Sequence, residues 1–508
     1  MARVSDLRTM KQFPFSNLGI VICISSLALC KPARAQMPSV SPNGSPMSQS
    51  TSPPPASQPY GSNSNATATS GTQSPFYGSV PEGKASPYVL SLSIKDAMER
   101  GLRNNLGLLL ESDNTLEARG EKWKELSALL PNVNATITES VAQIDLAAEG
   151  FRFATPGIPK IIGPIGIFQA QTNFSQSIFD LHLLDRNRGA SANQRSAQFN
   201  YKDARELVVL AVGNSYLQTL SATARVQTLQ AQVQTAQALY GKSVDQQNAG
   251  VIPAINSLRA RVELQSQQQQ LIVARNNYAK QKLMLARIIG LPPGQEFILS
   301  DQVPYAPLAQ MTMGEALRRA YASRSDYQAA VQRVRGAEYF RNAATAEHYP
   351  SLNLAGDYGD AGIRPGSSHG VFQVGATLEI PIFAGGRSHA DALEAEASLR
   401  QSKQQLDNLR AQIDYEVRVA LLDLAAAADQ VEVARSSVDL SSQTLNQSRD
   451  RFAAGVADNL EVIQAQEAVA AANENYISSL YAHNVAKISL ARAIGFAEKG
   501  VKEYLQSK

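Results

Sequence analysis

The sequence predicts a mainly α-helical protein that also carries strands of a membrane β-barrel, organised as two structural repeats. The clearest signal lies at residues 372–382, where every second residue is apolar and those between are Gln, Gly, Thr, Glu and Pro. A strand of about ten residues with one apolar face matches the apolar band of a transmembrane barrel. After Gly385 and Gly386 the chain enters a helical pattern that continues for about seventy residues.

The same order of patterns occurs earlier in the chain. Residues 166–179 alternate as residues 370–383 do, with Phe168 matching Phe372 and Ile178 matching Ile382 at one spacing. Four further landmarks recur in order, namely Ser93 with Thr312, Pro131 with Pro350, Gly250 with Gly455, and Gly290 with Gly495. We infer a duplicated unit of about two hundred residues, which is longer than the usual repeats of solenoid proteins.

Residues 1–35 are predicted to be a secretory signal peptide. Basic residues precede an apolar run at 18–30, and a small-residue cleavage site ends at Ala35. An alternative makes Cys30 a lipid-anchored first residue, but Leu29 before it is bulky where lipoprotein signals need a small residue. Because Cys23 and Cys30 both lie in this segment, the mature chain is expected to form no disulfide and no thiolate metal site.

Removing the signal peptide lowers the formal charge of the 508-residue chain by four, from +3 to −1. The near-neutral mature chain has no basic stripe with interleaved aromatic residues, so nucleic acid is not an expected partner. Residues 36–88 are rich in Ser, Pro, Gly, Asn and Thr and poor in large aliphatic residues. Such a segment cannot bury enough apolar surface to fold, and we predict a disordered leader.

The two repeats begin in the same way. Ser93 with Asp96, and Thr312 with Glu315, form capping-box patterns that start a helix in each repeat. We expect each helix to continue until a proline stops it. The first repeat is predicted at 89–295, with a hairpin at about 132–180 and a helix reversal at 249–253. A linker at 296–309 leads to the second repeat at 310–496, which has a hairpin at about 351–383 and a reversal at 454–458. A tail at 497–508 follows.

Each repeat contributes one β-hairpin, so the chain has four predicted strands. This number is too small to close a barrel around an aqueous channel, and the barrel must therefore be shared between chains. The side chains expected to face lipid are those on the apolar side of the second strand of each hairpin, namely Phe168, Phe174, Ile178, Phe372, Val374, Leu378 and Ile380.

A very long helix follows each hairpin, at about residues 185–248 and 388–453, and reaches roughly 95 Å. Apolar residues recur every seven positions in both, which predicts supercoiling around neighbouring helices. Gly250 and Gly455 end the long helices and permit the reversal. Shorter returning helices then run to Gly290 and Gly495.

No enzymatic chemistry is predicted. The chain has no phosphate-binding loop, dinucleotide fingerprint, zinc-protease motif or nucleophile elbow. Its five histidines are scattered without ligand spacing, and its acidic residues follow helix faces instead of forming an isolated acid and base pair. We expect neither a cofactor nor a metal site.

The chain resembles the TolC family of outer-membrane efflux proteins over about residues 92–495. The most specific segments are IPIFAGGR at 380–387, at the corner from strand to helix, and RFAAGVADNLEVIQAQ at 451–466, at the helix reversal. The resemblance implies a homotrimer in the outer membrane of a Gram-negative cell, with a twelve-stranded barrel in lipid, four strands from each chain, continued by an α-helical periplasmic barrel. It also implies an exit duct for tripartite efflux or type I secretion, joined to an inner-membrane transporter through a periplasmic adaptor.

The resemblance also implies roles for residues at the reversals. Glu461, with Asp458 and Gln464 nearby, matches the region where the family narrows its periplasmic mouth, and the first repeat has Asn256 and Arg259 at the places of Glu461 and Gln464. Asp458 and Glu461 fit an ordinary helix cap equally well. Gly250, Val251, Gly455 and Val456 match the tips that contact the adaptor.

A periplasmic coiled-coil scaffold without a pore is the alternative function. The hairpins distinguish the two hypotheses, because a soluble coiled coil has no use for two strands with one exposed apolar face. Recovery as a soluble monomer would favour the scaffold. The sequence does not identify the transported substrate.

Overall fold

The computed structural model describes residues 74–146, 148, 161–301, 308, 311–457, 459–498 and 500. The predicted signal peptide, residues 36–73 of the predicted leader, residues 302–307 and 309 of the predicted linker, Asp458, and residues 499 and 501–508 of the predicted tail lie outside the described residues.

The elements follow one another in the same order twice. The first series is β1 (Leu90–Leu92), α1 (Ile94–Asn104), α2 (Leu106–Ser127), β2 (Asn132–Asp145), β3 (Ile161–Phe179), α3 (Leu181–Asn248) and α4 (Ala254–Ile289). The second is β4 (Phe297–Leu299), α5 (Met313–Ser323), α6 (Ser325–Ala346), β5 (Ser351–Gly362), β6 (Ser368–Glu379), α7 (Arg387–Ala453) and α8 (Asn459–Ala493). The protein is therefore mainly helical, with a minor share of strand.

The first helix of each repeat starts as predicted but is broken, so the expectation of one continuous helix was wrong. Ser93 Oγ accepts the amide hydrogen of Asp96 at 3.2 Å, and the Asp96 carboxylate accepts that of Ser93 at 3.2 Å. The break comes at Asn105 and, at the equivalent position, at Arg324, where the backbone is extended. Asn105 Oδ1 caps α2 by accepting from Gly107 N at 3.0 Å. Gly107 lies two residues after the first break, but no proline or glycine lies beside the second, so the two breaks share no stop signal in the sequence.

The long strands form one antiparallel sheet in the order β2, β3, β5, β6. The pairing of β3 with β5 joins the two repeats, and the outer pairings are the two hairpins. β1 and β4 pair in parallel elsewhere, which gives the repeats a second backbone contact. Each chain therefore holds a single four-stranded sheet in which both repeats take part.

The hydrophobic core surrounds the middle of the long helices and not the sheet. Val208, Val212 and Tyr216 of α3 pack with Ile288 of α4 and Ile488 of α8, and all five are at most 1% exposed. The Tyr216 hydroxyl lies 2.9 Å from Asp301 Oδ2 and 3.1 Å from the carbonyl oxygen of Leu92. A second apolar cluster around Ile413 and Val417 packs α7 against α5 and α8. The core thus holds the long helices in place at the level where α1 and α5 pack against them.

The long helices have the predicted extent. α3 contains 68 residues and α7 contains 67, which corresponds to roughly 100 Å each. In α7 the predicted seven-residue seam faces inward, because Val431, Leu445 and Phe452 are at most 9% exposed. None of the helices in the described ranges is long and apolar enough to cross a bilayer.

Candidate functional site: the sheet and the helix tips

The register of the sheet places most apolar side chains on one face and most polar side chains on the other. Directly paired residues in neighbouring antiparallel strands share one face. The apolar face carries Val133, Ala135, Ile137 and Val141 of β2, Phe168, Ala170 and Phe174 of β3, Leu352, Leu354 and Tyr358 of β5, and Phe372, Val374, Ala376 and Leu378 of β6. The polar face carries Asn132, Asn134, Thr136, Thr138 and Ser140, then Gln169, Gln171, Asn173 and Ser175, then Asn353 and Asp357, and finally Gln373, Thr377 and Glu379.

Much of the apolar face is left uncovered by the described residues of the chain. Ile137 of β2 is 79% exposed, and Phe372 and Val374 of β6 are 78% and 71% exposed. On the polar face, Asn173 Nδ2 donates to Thr136 Oγ1 at 3.2 Å across the β2 and β3 pair. An exposed apolar patch of this size marks a surface that another phase or partner covers.

Most of the predicted lipid-facing residues lie on this apolar face, but the end of β3 departs from simple alternation. The strand register given above places five of them on the apolar face, namely Phe168, Phe174, Phe372, Val374 and Leu378. The pairing shifts between Ser177 and Phe179, so that Phe179, and not Ile178, lies opposite Leu352. Ile380 follows the last residue of β6 and is 57% exposed. A one-residue bulge leaves no signal in an alternating sequence.

The outer strands of the sheet each have a long edge without a neighbour among the described strands. β2 contains 14 residues and β6 contains 12, and nearly all residues of both strands are exposed. Such edges present unpaired N–H and C=O groups that template further pairing. The sheet alternates in direction from β2 to β6, so a β6 edge and a β2 edge of another copy can pair antiparallel.

The two helix reversals have the same backbone geometry. At the first, Gly250 N donates to Gln247 O and Val251 N to Gln246 O, both at 2.9 Å. At the second, Gly455 N donates to Phe452 O at 3.1 Å and Val456 N donates to Arg451 O at 2.9 Å. This is the Schellman pattern, which needs a left-handed residue after the helix. Gly250 and Gly455 supply it with φ values of 71° and 73°.

Glu461 is held across the second reversal by residues of α7. Its Oε1 accepts a hydrogen bond from Ser448 Oγ at 3.2 Å, and its Oε2 lies 3.6 Å from Arg451 Nη2. The Glu461 side chain is 37% exposed, so it contacts both the hairpin and solvent. These two contacts were not foreseen from the sequence. The only indication of them in the sequence was a serine and an arginine on the preceding helix.

The other described tip residues are divided between the two reversals. Gln464 is exposed, and in the first repeat Asn256 is buried while Arg259 is exposed. Val251 and Val456 stand out at the two reversals with 69% and 72% of their surface exposed. Lys242 Nζ lies 5.5 Å above the ring of Phe452, which links the two hairpins close to the tips.

A buried ionic cluster joins the two repeats at the level of the core, and sequence analysis missed it. Arg324 is 2% exposed and reaches Asp326 and Glu416 at 2.6 Å each. Arg492 reaches Asp203 at 2.6 Å and Glu206 at 3.4 Å. Arg492 lies in the motif LARAIG, which repeats LARIIG of the first repeat, and that duplication is the one signal that could have indicated it.

The cluster contains more carboxylates than arginines, and burial shifts their protonation. Burial raises the pKa of Glu206 to about 7, against the attraction of Arg492 and with the help of repulsion from Asp203 and Asp326. Burial likewise raises the pKa of Asp203. The pKa of Asp326 is lowered in spite of burial, because Arg324 donates hydrogen bonds to its carboxylate. Among the described residues, no three His, Cys, Asp or Glu side chains are grouped so that they could hold a metal ion.

Comparison with known proteins matches both repeats to one family. The family model described as "Outer membrane efflux protein" matches residues 125–291 and 316–496. Outer membrane protein TolC of Vibrio cholerae is 21% identical over 433 residues, which cover 83% of this chain and 94% of that protein. Alkaline protease secretion protein AprF of Pseudomonas aeruginosa is 22% identical over 408 residues, which cover 77% of this chain and 84% of that protein.

Solved structures show the same fold. The CmeC outer membrane channel of Campylobacter jejuni has a TM-score of 0.67 and 18% identity, with 81% of this chain and 89% of that chain covered. A membrane protein from Pseudomonas aeruginosa has a TM-score of 0.70 and 18% identity, with 82% of this chain and 95% of that chain covered.

Proposed function

The chain belongs to the outer membrane efflux protein family, and on that premise we propose that three copies form the exit duct of a tripartite efflux or type I secretion system. The members of this family are channels and not enzymes, in agreement with the prediction from the sequence. The proposal comprises a homotrimer, a twelve-stranded barrel in the outer membrane, a helical duct through the periplasm, and partners at its lower end.

The observation that carries the proposal is the open sheet. Four strands with two unpaired edges cannot enclose water, whereas three copies supply twelve strands, an even number that closes with antiparallel pairing throughout. Each β6 edge would pair with the β2 edge of the next copy. Closure would remove every exposed edge and satisfy the free backbone groups, which is a requirement in lipid.

The two faces of the sheet support the same arrangement. In a closed barrel, the apolar face defined above would contact lipid and the polar face would line the water-filled lumen. Phe168, Phe174, Phe372, Val374 and Leu378 are then lipid contacts in each copy. Ile178 and Ile380 are proposed as contacts at the lower rim of the barrel, together with Phe179, which follows Ile178 in the chain and is 50% exposed.

The long helices supply a second surface for neighbouring copies. Tyr415, Leu422, Val433 and Leu440 recur on one face of α7 and are between 61% and 69% exposed. Their spacing of seven and eleven residues keeps them on one line along the helix. On α4, Val262 is 66% exposed and belongs to a similar line of exposed apolar residues. We propose that these lines pack between copies, so that twelve long and short helices from three chains continue the barrel into the periplasm.

The helix tips are the proposed contact site for the adaptor. Val251 and Val456 project beyond the glycine turns into solvent, where an adaptor can reach them. Gly250 and Gly455 act by holding this geometry. Glu461 is proposed to narrow the mouth, with Asp458 and Gln464 near it, and three-fold symmetry would bring three such carboxylates together. The adaptor would connect the duct to a transporter in the inner membrane.

The names of the relatives do not indicate a common cargo. The name of AprF assigns it to alkaline protease secretion, and that of CmeC describes an outer membrane channel. For this chain we propose outward passage of solutes or polypeptides across the outer membrane of a Gram-negative cell.

The experiment is purification of the membrane fraction in detergent, followed by mass determination and reconstitution into planar bilayers. We expect a particle with three chains that gives stable conductance steps. A matched variant carries Val374→Asp on the apolar face, where burial of a charge in lipid is costly, and Gln373→Asp on the polar face is its control. The Val374 variant should lose membrane assembly while the Gln373 variant keeps it. Recovery of the unaltered protein as a soluble monomer would contradict the proposal and favour a scaffold.

A further inference from the structure

The four long strands differ from the rest of the chain in their charges. They contain no lysine and no arginine, but they contain five carboxylates. The five are Glu139 and Asp145 of β2, Asp357 and Asp360 of β5, and Glu379 of β6. The nearest basic side chain of the second hairpin is Arg364, which lies in the turn between β5 and β6.

The register assigns these carboxylates to different faces. Asp357 is paired with Asn173 on one side and Gln373 on the other, so it belongs to the polar face. Glu379 is paired with Ser351 and shares that face at the helix end of the sheet. In contrast, Asp360 is paired with Ala170 and Gly370 on the apolar face.

Glu139 also lies on the apolar face, because it is paired with Phe168. Asp145 is the last residue of β2, beyond the bulge that shifts the register after Ala142. The remaining side chains of the polar face are amides, hydroxyls and small residues, apart from Ile165 and Ile167 near the turn end of β3 and His369 and Val371 near the turn of the second hairpin. Among the described residues that the register places on this face, Asp357 and Glu379 are therefore the only acidic groups, and none is a lysine or an arginine.

We propose that Asp357 and Glu379 make the barrel lumen selective for cations and that the duct therefore favours cationic or uncharged polar cargo over anionic cargo. This inference rests on the proposed function, since it requires the polar face to line a pore. Three-fold symmetry turns each residue into a ring of three carboxylates. The ring of Asp357 lies within the barrel, and that of Glu379 lies where the barrel meets the helical duct.

The geometry makes the effect moderate and dependent on salt. Twelve tilted strands at the usual spacing give a barrel radius of about 12 Å, which is close to the Debye length of about 10 Å at 0.1 M salt. Three carboxylates at that distance attract cations and repel anions enough to change the permeability ratio by about threefold. At about 1 M salt the Debye length falls to about 3 Å, and the preference should largely disappear.

The uncharged part of the lining has a complementary effect. Amide and hydroxyl groups such as those of Gln169, Asn173 and Thr136 offer both hydrogen-bond donors and acceptors to a passing solute. They neither attract nor repel ions strongly, so the two acidic rings act without competition. A polar solute can replace its hydrogen bonds to water by hydrogen bonds to these groups at little cost in free energy. An anion, in contrast, is repelled at both acidic rings.

The test compares reversal potentials across planar bilayers under a gradient of potassium chloride at about pH 8, where histidine is ordinarily neutral. The double variant Asp357→Asn with Glu379→Gln should lower the cation-to-anion permeability ratio about threefold at 0.1 M salt. Asp360→Asn is the matched control, because it removes the same charge three residues away on the opposite face and should leave the ratio unchanged. Glu461→Gln separates any contribution of the helix tips.

Particle mass and single-channel conductance show that each variant assembles. If the double variant fails to assemble, Asp357→Asn alone and the salt dependence of the unaltered protein carry the test. A ratio that is unaffected by both polar-face substitutions, or that does not fall as salt rises, would overturn this inference alone. Absence of any conductance from the unaltered protein would overturn the proposed function as well.

Discussion

Arg492 of α8 reaches Asp203 of α3 with 2.6 Å between Nη2 and Oδ1, and the two side chains are only 13% and 18% exposed. The pair joins the last helix of the second repeat to the long helix of the first. Glu206 and Asp326 lie within 4 Å of the same guanidinium, and Asp326 is also paired with Arg324 at 2.6 Å. The two repeats are therefore joined here by charge as well as by packing.

Removal of this arginine should destabilise the protein strongly. Arg492→Met leaves buried carboxylates without a counter-charge, which costs about 3–5 kcal/mol when a buried ion pair loses one partner. The control is Arg418→Met, because Arg418 also lies 2.6 Å from its partner, Asp414, but on the exposed surface. Denaturant unfolding of both variants in detergent measures the difference. Equal effects would contradict a structural role for the cluster.

Stability should depend on pH through Glu206. Its pKa is raised to about 7 in the fold, so the fold disfavours the ionised form. The associated stability is complete below the ordinary carboxyl pKa near 4.5 and is lost as pH rises through about 7. We expect melting temperature to decline across this range, and Glu206→Gln to flatten the decline. Glu432→Gln, on the exposed surface of α7, is the control and should keep the slope of the unaltered protein.

The tip glycines should be replaceable only at a cost in backbone strain. A Cβ at Gly455 would meet no atom within 4 Å, but φ is 73° there. Gly455→Ala should therefore destabilise the protein by about 1 kcal/mol through strain alone. Gly241→Ala, inside α3 and equally free of contacts, should be neutral or stabilising by up to about 1 kcal/mol. If both alanines act alike, the turn does not require a left-handed residue.

Two substitutions separate the possible roles of Glu461. As a gate, Glu461→Ala should raise single-channel conductance and weaken cation preference at the tip, because a carboxylate is removed from the mouth. Arg451→Ala leaves that carboxylate in place and removes its counter-charge at 3.6 Å, so cation preference should increase. If Glu461 only holds the hairpin together, the two variants will change conductance in the same direction. Recordings at about 0.1 M salt keep screening low.

The features that the sequence predicted are those encoded by local pattern. Alternation in β6 depends on residues two positions apart, and the long helices depend on the absence of Pro and glycine clusters over many turns. The helix reversals depend on Gly250 and Gly455, whose φ values are positive as their role requires. Each of these signals lies within one element, and no knowledge of the remaining chain is needed to interpret it.

The features that were missed arise from contacts between distant parts of the chain. Arg324 interrupts a helical pattern because its backbone turns and its side chain pairs with Glu416 of α7. Arg492 and Asp203 belong to different repeats, and nothing near either residue indicates the other. The shift at the end of β3 appears only when β5 is paired beside it. These details depend on tertiary contacts, which a single sequence does not reveal.

The central claim is that one chain supplies four strands of a barrel closed between copies, and disulfide cross-linking of the two open edges tests it most directly. The predicted mature chain has no cysteine, so Ala135→Cys on β2 is combined in turn with Phe372→Cys, Val374→Cys and Ala376→Cys on β6, all on one face. Gly375→Cys, on the opposite face, is the control partner. We expect at least one same-face pair to give oxidised dimers and trimers in membranes. Monomer alone from every pair, with intact protein in the membrane, would contradict the claim.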